Sequence, residues 1–313
     1  MNPAQKLQAR SLAVRVSFHW LGTKKTLTSH QIAKAAETFD ADRHYLSATH
    51  KLFDTRHPAF KKVTAVKGDI VAYWRCQTLP FVEDGIRLML KSKVEDFNAA
   101  MTEYRSQLKA AVQELDDHFH ELRHEAKNRL GQLYHPDNYP ESVIGTIDVE
   151  WSFPSVEPPD YLMQIQPALY EQEKQRVAAR FEEAVSLAEA AFVKELQDLV
   201  QNLQERLKPG EDGKKKVFRD STVGNFKDFF AKFRQLNVSD NQALDAVVQD
   251  AEALLDGVEP GDLRNLPTLR HEVTSGLAQI GDQLSALITT APRRKIVRPH
   301  TNGVLTNGTP HNS

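Results

Sequence analysis

Apolar side chains recur at steps of three and four residues between Val94 and Leu130. The positions are Val94, Phe97, Met101, Tyr104, Leu108, Val112, Leu115, Phe119, Leu122, Ala126 and Leu130. This spacing keeps one apolar stripe along one side of a helix. At ~1.5 Å per residue, the stripe predicts a helix about 55 Å long that ends at Gly131.

A second apolar ladder follows a proline-rich break and predicts a helix from Asp160 to about Leu207. Its stripe contains Leu169, Val177, Phe181, Ala184, Ala188, Phe192, Leu199, Leu203 and Leu207. The two helices have the length and the apolar period to pack side by side. Because residues 132–160 are long enough to reverse the chain, we predict a long antiparallel, coiled-coil-like hairpin.

Three short segments alternate apolar and polar residues, which is typical of strands. One lies around Val14, one around Ile86 and one around Val149 in the insert. We expect them to form a small sheet. Thr28 or Ser29, with Gln31 close behind, is predicted to cap a short helix. Further helices are predicted over 42–53 and from Pro58 to about 77.

The remaining sequence gives the predicted domain organisation. An N-terminal helical region with short strands covers 1–92, and the helical hairpin with its insert covers 93–208. A charged, glycine-containing linker covers 209–217, a C-terminal helical bundle covers 218–290, and a polar, disordered tail covers 291–313. The predicted fold class is therefore mainly α, with a small β element.

Composition narrows the classes of protein to consider. The formal net charge is −2, so no global field attracts nucleic acid or anionic lipid. No apolar run approaches the ~18 residues of a membrane helix, and the first residues show no signal core, so we expect a cytoplasmic protein. A single cysteine, Cys76, excludes an intramolecular disulfide, and we predict that it is buried in the core.

One segment of the first long helix matches a metal-binding pattern. His120, Glu121 and His124 form a literal HExxH sequence, and Asp116 lies one turn earlier on the same face. Two histidines at i and i+4 can hold zinc, with the glutamate acting as a base in metalloproteases. The histidines lie off the apolar stripe, however, and His135 or Glu150 would have to supply a third ligand. A solvent-facing helix surface is therefore the favoured interpretation, and a zinc site is the alternative.

Other polar and aromatic groups have mainly structural interpretations. The segment from Asp54 to Pro58 is predicted to be a capped turn, with a recognition loop as the alternative. Tyr73 and Trp74 are predicted to pack in the core. Lysines in the linker and arginines in the tail could add phosphate affinity, which leaves nucleic-acid binding as an alternative. No Walker A, GxGxxG, GxSxG or CxxC pattern occurs.

Several short motifs resemble a family of uncharacterised, mainly helical bacterial proteins over about residues 10–290. The motifs are Phe53–Phe60, Val63–Val66, Tyr73–Arg75, Thr78–Phe81, Gly85–Leu88, Tyr139–Pro140, Trp151–Pro159 and Phe218–Ser221. Loosely similar bacterial proteins are encoded near MoxR-type AAA ATPases and von Willebrand A proteins. The resemblance implies an accessory or adaptor role and assigns no functional residue.

These observations favour a noncatalytic scaffold or adaptor that binds a protein partner, or a second copy of itself, through its helices. A metal-dependent hydrolase or metal-regulated protein that uses His120, Glu121 and His124 is the first alternative. A nucleic-acid-associated protein that uses the basic tail is the second.

Overall fold

The computed structural model describes residues 1–208 and 221–290. Ten α-helices and six strands lie in this part of the chain. The helices are α1 (Pro3–Arg10), α2 (Ser29–Thr38), α3 (Pro58–Cys76), α4 (Val94–Leu130), α5 (Tyr161–Ile165), α6 (Pro167–Leu207), α7 (Ser221–Leu236), α8 (Gln242–Leu255), α9 (Pro260–Asn265) and α10 (Pro267–Thr290). The strands are β1 (Ser11–His19), β2 (Lys24–Thr26), β3 (Thr49–Lys51), β4 (Leu79–Pro80), β5 (Ile86–Leu90) and β6 (Asp148–Ser152). The mainly α fold class with a small β element is confirmed.

The predicted small sheet is present and antiparallel. Its strand order is β4-β5-β1-β6, so β1 is central. Ser11 of β1 pairs with Leu90 of β5, and His19 pairs with Asp148 of β6. The N-terminal half of β1 thus pairs with β5 and its C-terminal half with β6, which joins segments that are far apart in sequence.

Both faces of this sheet are apolar, and each face is covered by helices. Neighbouring residues alternate between the faces: Ala13 and Leu88 lie on one side, and Val14 and Met89 on the other. On the Val14 side, α3 and α4 form what we call the α4 core. On the Ala13 side, α6 with α1, α7, α8 and α10 forms the α6 core.

The predicted hairpin of two long helices is wrong. Helix α4 packs mainly against α3, whereas α6 packs against α10, α1 and α7. The buried residues of α4 and α6 belong to separate cores. An apolar stripe specifies burial but not the partner that covers it, and here other helices and the two faces of the sheet cover both stripes.

Two further segment predictions are corrected. Residues 42–53 form a 3₁₀ turn at Arg43–Tyr45 followed by β3, which pairs with β2, and not a helix. Of the apolar positions in the predicted helix, Tyr45 is 92% exposed, whereas Phe53 is buried in the α4 core. The second long helix is interrupted before Pro167, because proline lacks the amide donor that a continuous helix requires.

Several local predictions are confirmed. Of the two candidate caps, Thr28 caps α2 and forms a reciprocal capping box with Gln31. Helix α4 ends at Gly131, whose φ of 52° suits glycine. The C-terminal helices form the predicted bundle, in which Phe233 of α7 meets Phe192 of α6 with ring centroids 5.0 Å apart.

The predicted linker and tail, 209–217 and 291–313, lie outside the described residues. The α6 core draws buried residues from three of the predicted domains, at Leu7, Phe181 and Phe226 among others. None of the described helices is long and apolar enough to cross a membrane.

Candidate functional site

The residues of the predicted metal site all lie on α4, but Asp116 already has protein partners. Its Oδ1 accepts hydrogen bonds from the Ser142 hydroxyl at 2.8 Å and from the Val143 amide at 2.7 Å. Asp116 therefore holds the insert against α4. His120 and His124 are exposed.

Glu150 and His135, the two candidates for a third metal ligand, each contact another residue. Glu150 lies 3.3 Å from His19, and His135 lies 3.5 Å from Asp137. Within residues 1–208 and 221–290, no group of three or more His, Cys, Asp or Glu side chains is placed to share a metal ion. The structure therefore does not bring His120 and His124 together with a third ligand.

The segment from Asp54 to Pro58 forms the predicted capped turn. His57 Nδ1 accepts a hydrogen bond from the Ala59 amide at 3.3 Å and caps α3. The His57 ring also lies 5.3 Å from the ring of His118 on α4. The turn is thus fixed beside the middle of α4.

This turn and the C-terminal end of α4 border an open cleft of about 260 Å³, which we call the Asp54 cleft. Its lining residues are Lys51, Leu52, Phe53, Asp54, Arg56, Glu125, Ala126, Arg129 and Leu130. The Tyr139 hydroxyl donates a hydrogen bond to the Leu52 carbonyl at 2.6 Å, and burial raises the pKa of Tyr139 to about 12. The insert therefore braces the wall of the cleft.

Asp54 organises the charges of the cleft. Arg56 donates to it through Nε at 3.0 Å, through Nη2 at 2.9 Å and through its backbone amide at 2.9 Å. Arg129 Nη1 lies 3.5 Å from Asp54 Oδ2, and Arg129 Nη2 lies 3.2 Å from Glu125. The hydrogen bonds from Arg56 hold the pKa of Asp54 far below its usual range.

This low pKa limits the chemistry of the cleft. A carboxylate that stays ionised near neutral pH cannot donate a proton, and it is a weak base. Asp54 instead orients two guanidinium groups, so the arrangement suits ligand binding better than proton transfer.

Lys51 extends the positive side of the Asp54 cleft toward the β2–β3 ribbon. It lies directly opposite Lys24 in that ribbon, and both side chains are exposed. Neither lysine side chain forms a hydrogen bond or an ion pair with another described residue. Both therefore remain available to a ligand from solution.

A second polar cluster lies at the C-terminal end of α3 and has a structural role. Arg87 donates to the Thr78 hydroxyl at 2.6 Å and to the Thr78 carbonyl at 2.9 Å, and that hydroxyl bonds the Trp74 carbonyl. Burial and the neighbouring Arg75 lower the pKa of Arg87 to about 10. Arg87, which lies on β5, thus links this strand by hydrogen bonds to the residues that follow α3.

The prediction that Tyr73 and Trp74 pack in the core is confirmed, and the prediction for Cys76 is wrong. Tyr73 stacks on Phe97, with ring centroids 5.8 Å apart. Cys76 is exposed because it occupies the last turn of α3, off the face that meets α4. Nearby protein atoms still raise the pKa of its thiol, which disfavours the reactive thiolate.

A different kind of surface lies at α5. Tyr161, Met163 and Ile165 are 61%, 53% and 74% exposed, and Phe153 upstream is 42% exposed. Tyr161 and Ile165, four residues apart, share one face of this helix, whereas Met163 lies on the opposite side. We call the Tyr161 and Ile165 side chains the α5 patch. Several large apolar side chains exposed in one short segment are typical of an interaction surface.

Sequence reasoning missed the Asp54 cleft. The contact between Asp54 and Arg56 could be predicted from the local sequence, because an aspartate side chain commonly accepts a hydrogen bond from the backbone amide two residues later. Arg129 and Lys51 gave no such signal, since only the packing of α4 beside this turn brings them together.

Comparison with protein-family models, curated proteins and solved structures found no match to this chain.

Proposed function

We propose that the protein is a noncatalytic scaffold or adaptor that binds a partner protein through its helices. The observation that carries this proposal is the α5 patch. Burying a large apolar side chain contributes about 1.5–3 kcal/mol, so a partner that covers Tyr161 and Ile165 would gain substantial free energy.

The surroundings of the α5 patch indicate the chemistry of the partner. Glu157 and Asp160 precede the patch and are exposed, and Glu171 follows it on α6. An apolar surface bordered by lysine or arginine would complement this arrangement. An ATPase of the MoxR type is the partner class implied by the resemblance, and a cytoplasmic location stays a prediction.

The proposal is tested by affinity purification of the full chain from its native host. The Tyr161→Ser, Ile165→Ser double variant should lose a partner that the unchanged protein retains. Leu266→Ser and Ile144→Ser are matched controls, because these side chains are 49% and 54% exposed outside α5. The partner should then bind the purified protein directly, with at least tenfold weaker affinity for the double variant.

Capture that is equal for all variants would contradict a role for the α5 patch. A concentration-dependent dimer that the double variant abolishes would replace the partner protein with a second copy of the chain. Light scattering on the purified protein distinguishes these results.

The metal alternative has its own test. Two exposed histidines at i and i+4 without a third ligand should hold zinc weakly, so we expect untagged protein to retain little zinc after gentle purification. Stoichiometric zinc that is lost in both His120→Ala and His124→Ala would contradict this expectation and favour a metal site.

A further inference from the structure

Three cationic side chains from separate parts of the chain converge on the Asp54 cleft. Lys51 comes from β3, Arg56 from the turn before α3 and Arg129 from the last turn of α4. Asp54 and Glu125 line the same cleft, so the lining carries an excess of one positive charge. The cleft therefore favours binding of an anion. With an excess of only one positive charge, it suits a small anionic group better than an extended polyanion.

The cations have unused hydrogen-bond donors. A guanidinium has five N–H donors, and Asp54 accepts from only two of those on Arg56. Arg129 is 61% exposed, and its pair with Glu125 is a surface i,i+4 contact at 3.2 Å, which is weak. The ammonium of Lys51 has no partner among the described residues.

The β2–β3 ribbon adds a second, independent observation. Lys24 and Lys51 occupy directly opposite positions on neighbouring strands, where like charges repel each other. This repulsion opposes folding of the ribbon in the free protein. An anion bound beside Lys51 would relieve it.

We propose that the Asp54 cleft binds a small organic phosphomonoester. Three cations suit the doubly charged phosphate group, because guanidinium groups bind its oxygens in pairs and lysine adds a point charge. Leu130, which is half-buried, and the small exposed parts of Leu52, Phe53 and Ala126 offer apolar surface to the organic part, and the cleft volume of about 260 Å³ limits that part to a small group. Asp54 is a positioning residue that holds Arg56 and Arg129 side by side.

The same residues disfavour a nucleic-acid strand as the ligand. A continuous phosphate backbone would pass close to Asp54 and Glu125, and both carboxylates would repel it. A single terminal phosphate can contact the cations on one side of the cleft without crossing that pair.

Isothermal titration of the full chain with phenyl phosphate tests the proposal. Arg129→Gln should weaken binding at least tenfold, and Lys51→Gln about threefold or more. Lys127→Gln is the matched control, because Lys127 is exposed on the same turn of α4 but does not line the cleft, and it should change the affinity less than twofold. Circular dichroism confirms that each variant is folded.

Inorganic phosphate and a single-stranded oligonucleotide complete the test. Weaker binding of inorganic phosphate supports use of the apolar surface, and equal binding overturns an organic ligand. No binding of phenyl phosphate, or equal binding by all variants, overturns the site. Tighter, strongly salt-dependent binding of the oligonucleotide overturns a small ligand. None of these results depends on the α5 patch.

Discussion

At the scale of single residues, two glycines in α10 differ in what surrounds them. A Cβ atom added at Gly276 would lie 2.6 Å from a methyl carbon of Leu254 on α8. A Cβ atom added at Gly281 would meet nothing closer than 3.9 Å. Both glycines lie inside the helix, where alanine is the better helix former.

We predict opposite outcomes for alanine at these two positions. Gly281→Ala should raise the free energy of unfolding by about 0.5–1 kcal/mol through helix propensity. Gly276→Ala should show no gain or a loss of about 1 kcal/mol, because Leu254 must move. Urea unfolding measures both, and equal stabilisation would contradict a cost from displacing the Leu254 side chain.

Asp54 should make stability depend on pH in the acid range. Its folded pKa is lower than its unfolded value of about 3.8, so its contribution is fully present above that value and is lost as pH falls below it. Asp54→Asn should therefore lower the melting temperature at pH 5–7, and the difference should shrink between pH 4 and pH 2.

Arg56→Gln serves as the control for this pH dependence. If the Asp54 effect acts through Arg56, the double variant should melt close to the more affected single variant. A melting difference for Asp54→Asn that is constant from pH 7 to pH 2 would contradict the assignment.

At the scale of elements, the insert is held to α4 by a few directed contacts. Asp116 accepts from Ser142 and Val143, and Arg105 donates to Asp148 on the edge strand β6 through Nε at 2.9 Å. Arg105 lowers the pKa of Asp148 through this hydrogen bond, so the pair stays ionised near neutral pH. A predicted metal ligand thus has a structural role that its helix position alone does not reveal.

We predict that Asp116→Ala lowers the free energy of unfolding by about 1–2 kcal/mol, because two donors lose a charged acceptor. The insert should also become more sensitive to limited proteolysis around residues 141–146. Asp117→Ala is the control, since Asp117 is exposed and, among the described residues, accepts a hydrogen bond only from Gln113 on its own helix. This variant should change the free energy of unfolding by no more than about 0.5 kcal/mol. Equal effects would argue against this anchor.

At the scale of the whole molecule, two cores share one sheet. Leu88 and Met89 are neighbours in β5, yet they are buried in the α6 core and the α4 core respectively. Because the same strands serve both cores, loss of one core should remove support from the other. We therefore expect residues 1–208 and 221–290 to unfold cooperatively.

The tryptophans allow a direct test of this coupling. The chain has three, and Trp20, Trp74 and Trp151 all pack against the α4 core. Leu88→Ala, which affects the α6 core, should cost about 2–5 kcal/mol and should shift the tryptophan fluorescence transition together with circular dichroism. Met89→Ala is the matched variant on the other face. A fluorescence midpoint unaffected by Leu88→Ala would show that the cores unfold independently.

Predictions that depend on residues close together in the sequence were mostly correct, whereas contacts between distant segments were not predicted. The caps at Thr28 and Gly131 and the stripe of α4 depend on residues within a few positions, and they were predictable. The helix prediction over 42–53 was wrong because β3 pairs with β2, a contact between segments that the local periodicity does not reveal. The Asp54 cleft escaped prediction because its residues meet only through packing.

Where most helices and strands lie, and which residues they bury, follows from the sequence pattern alone, since periodicity and capping act locally. The alternation of apolar and polar residues likewise predicts strands in three segments that are far apart in the sequence. Tertiary structure alone decided that α4 and α6 lie in different cores, because an apolar stripe can be covered by any matching apolar surface. It also decided that Lys51, Arg56 and Arg129 line one cleft, since nothing in their local sequences relates them.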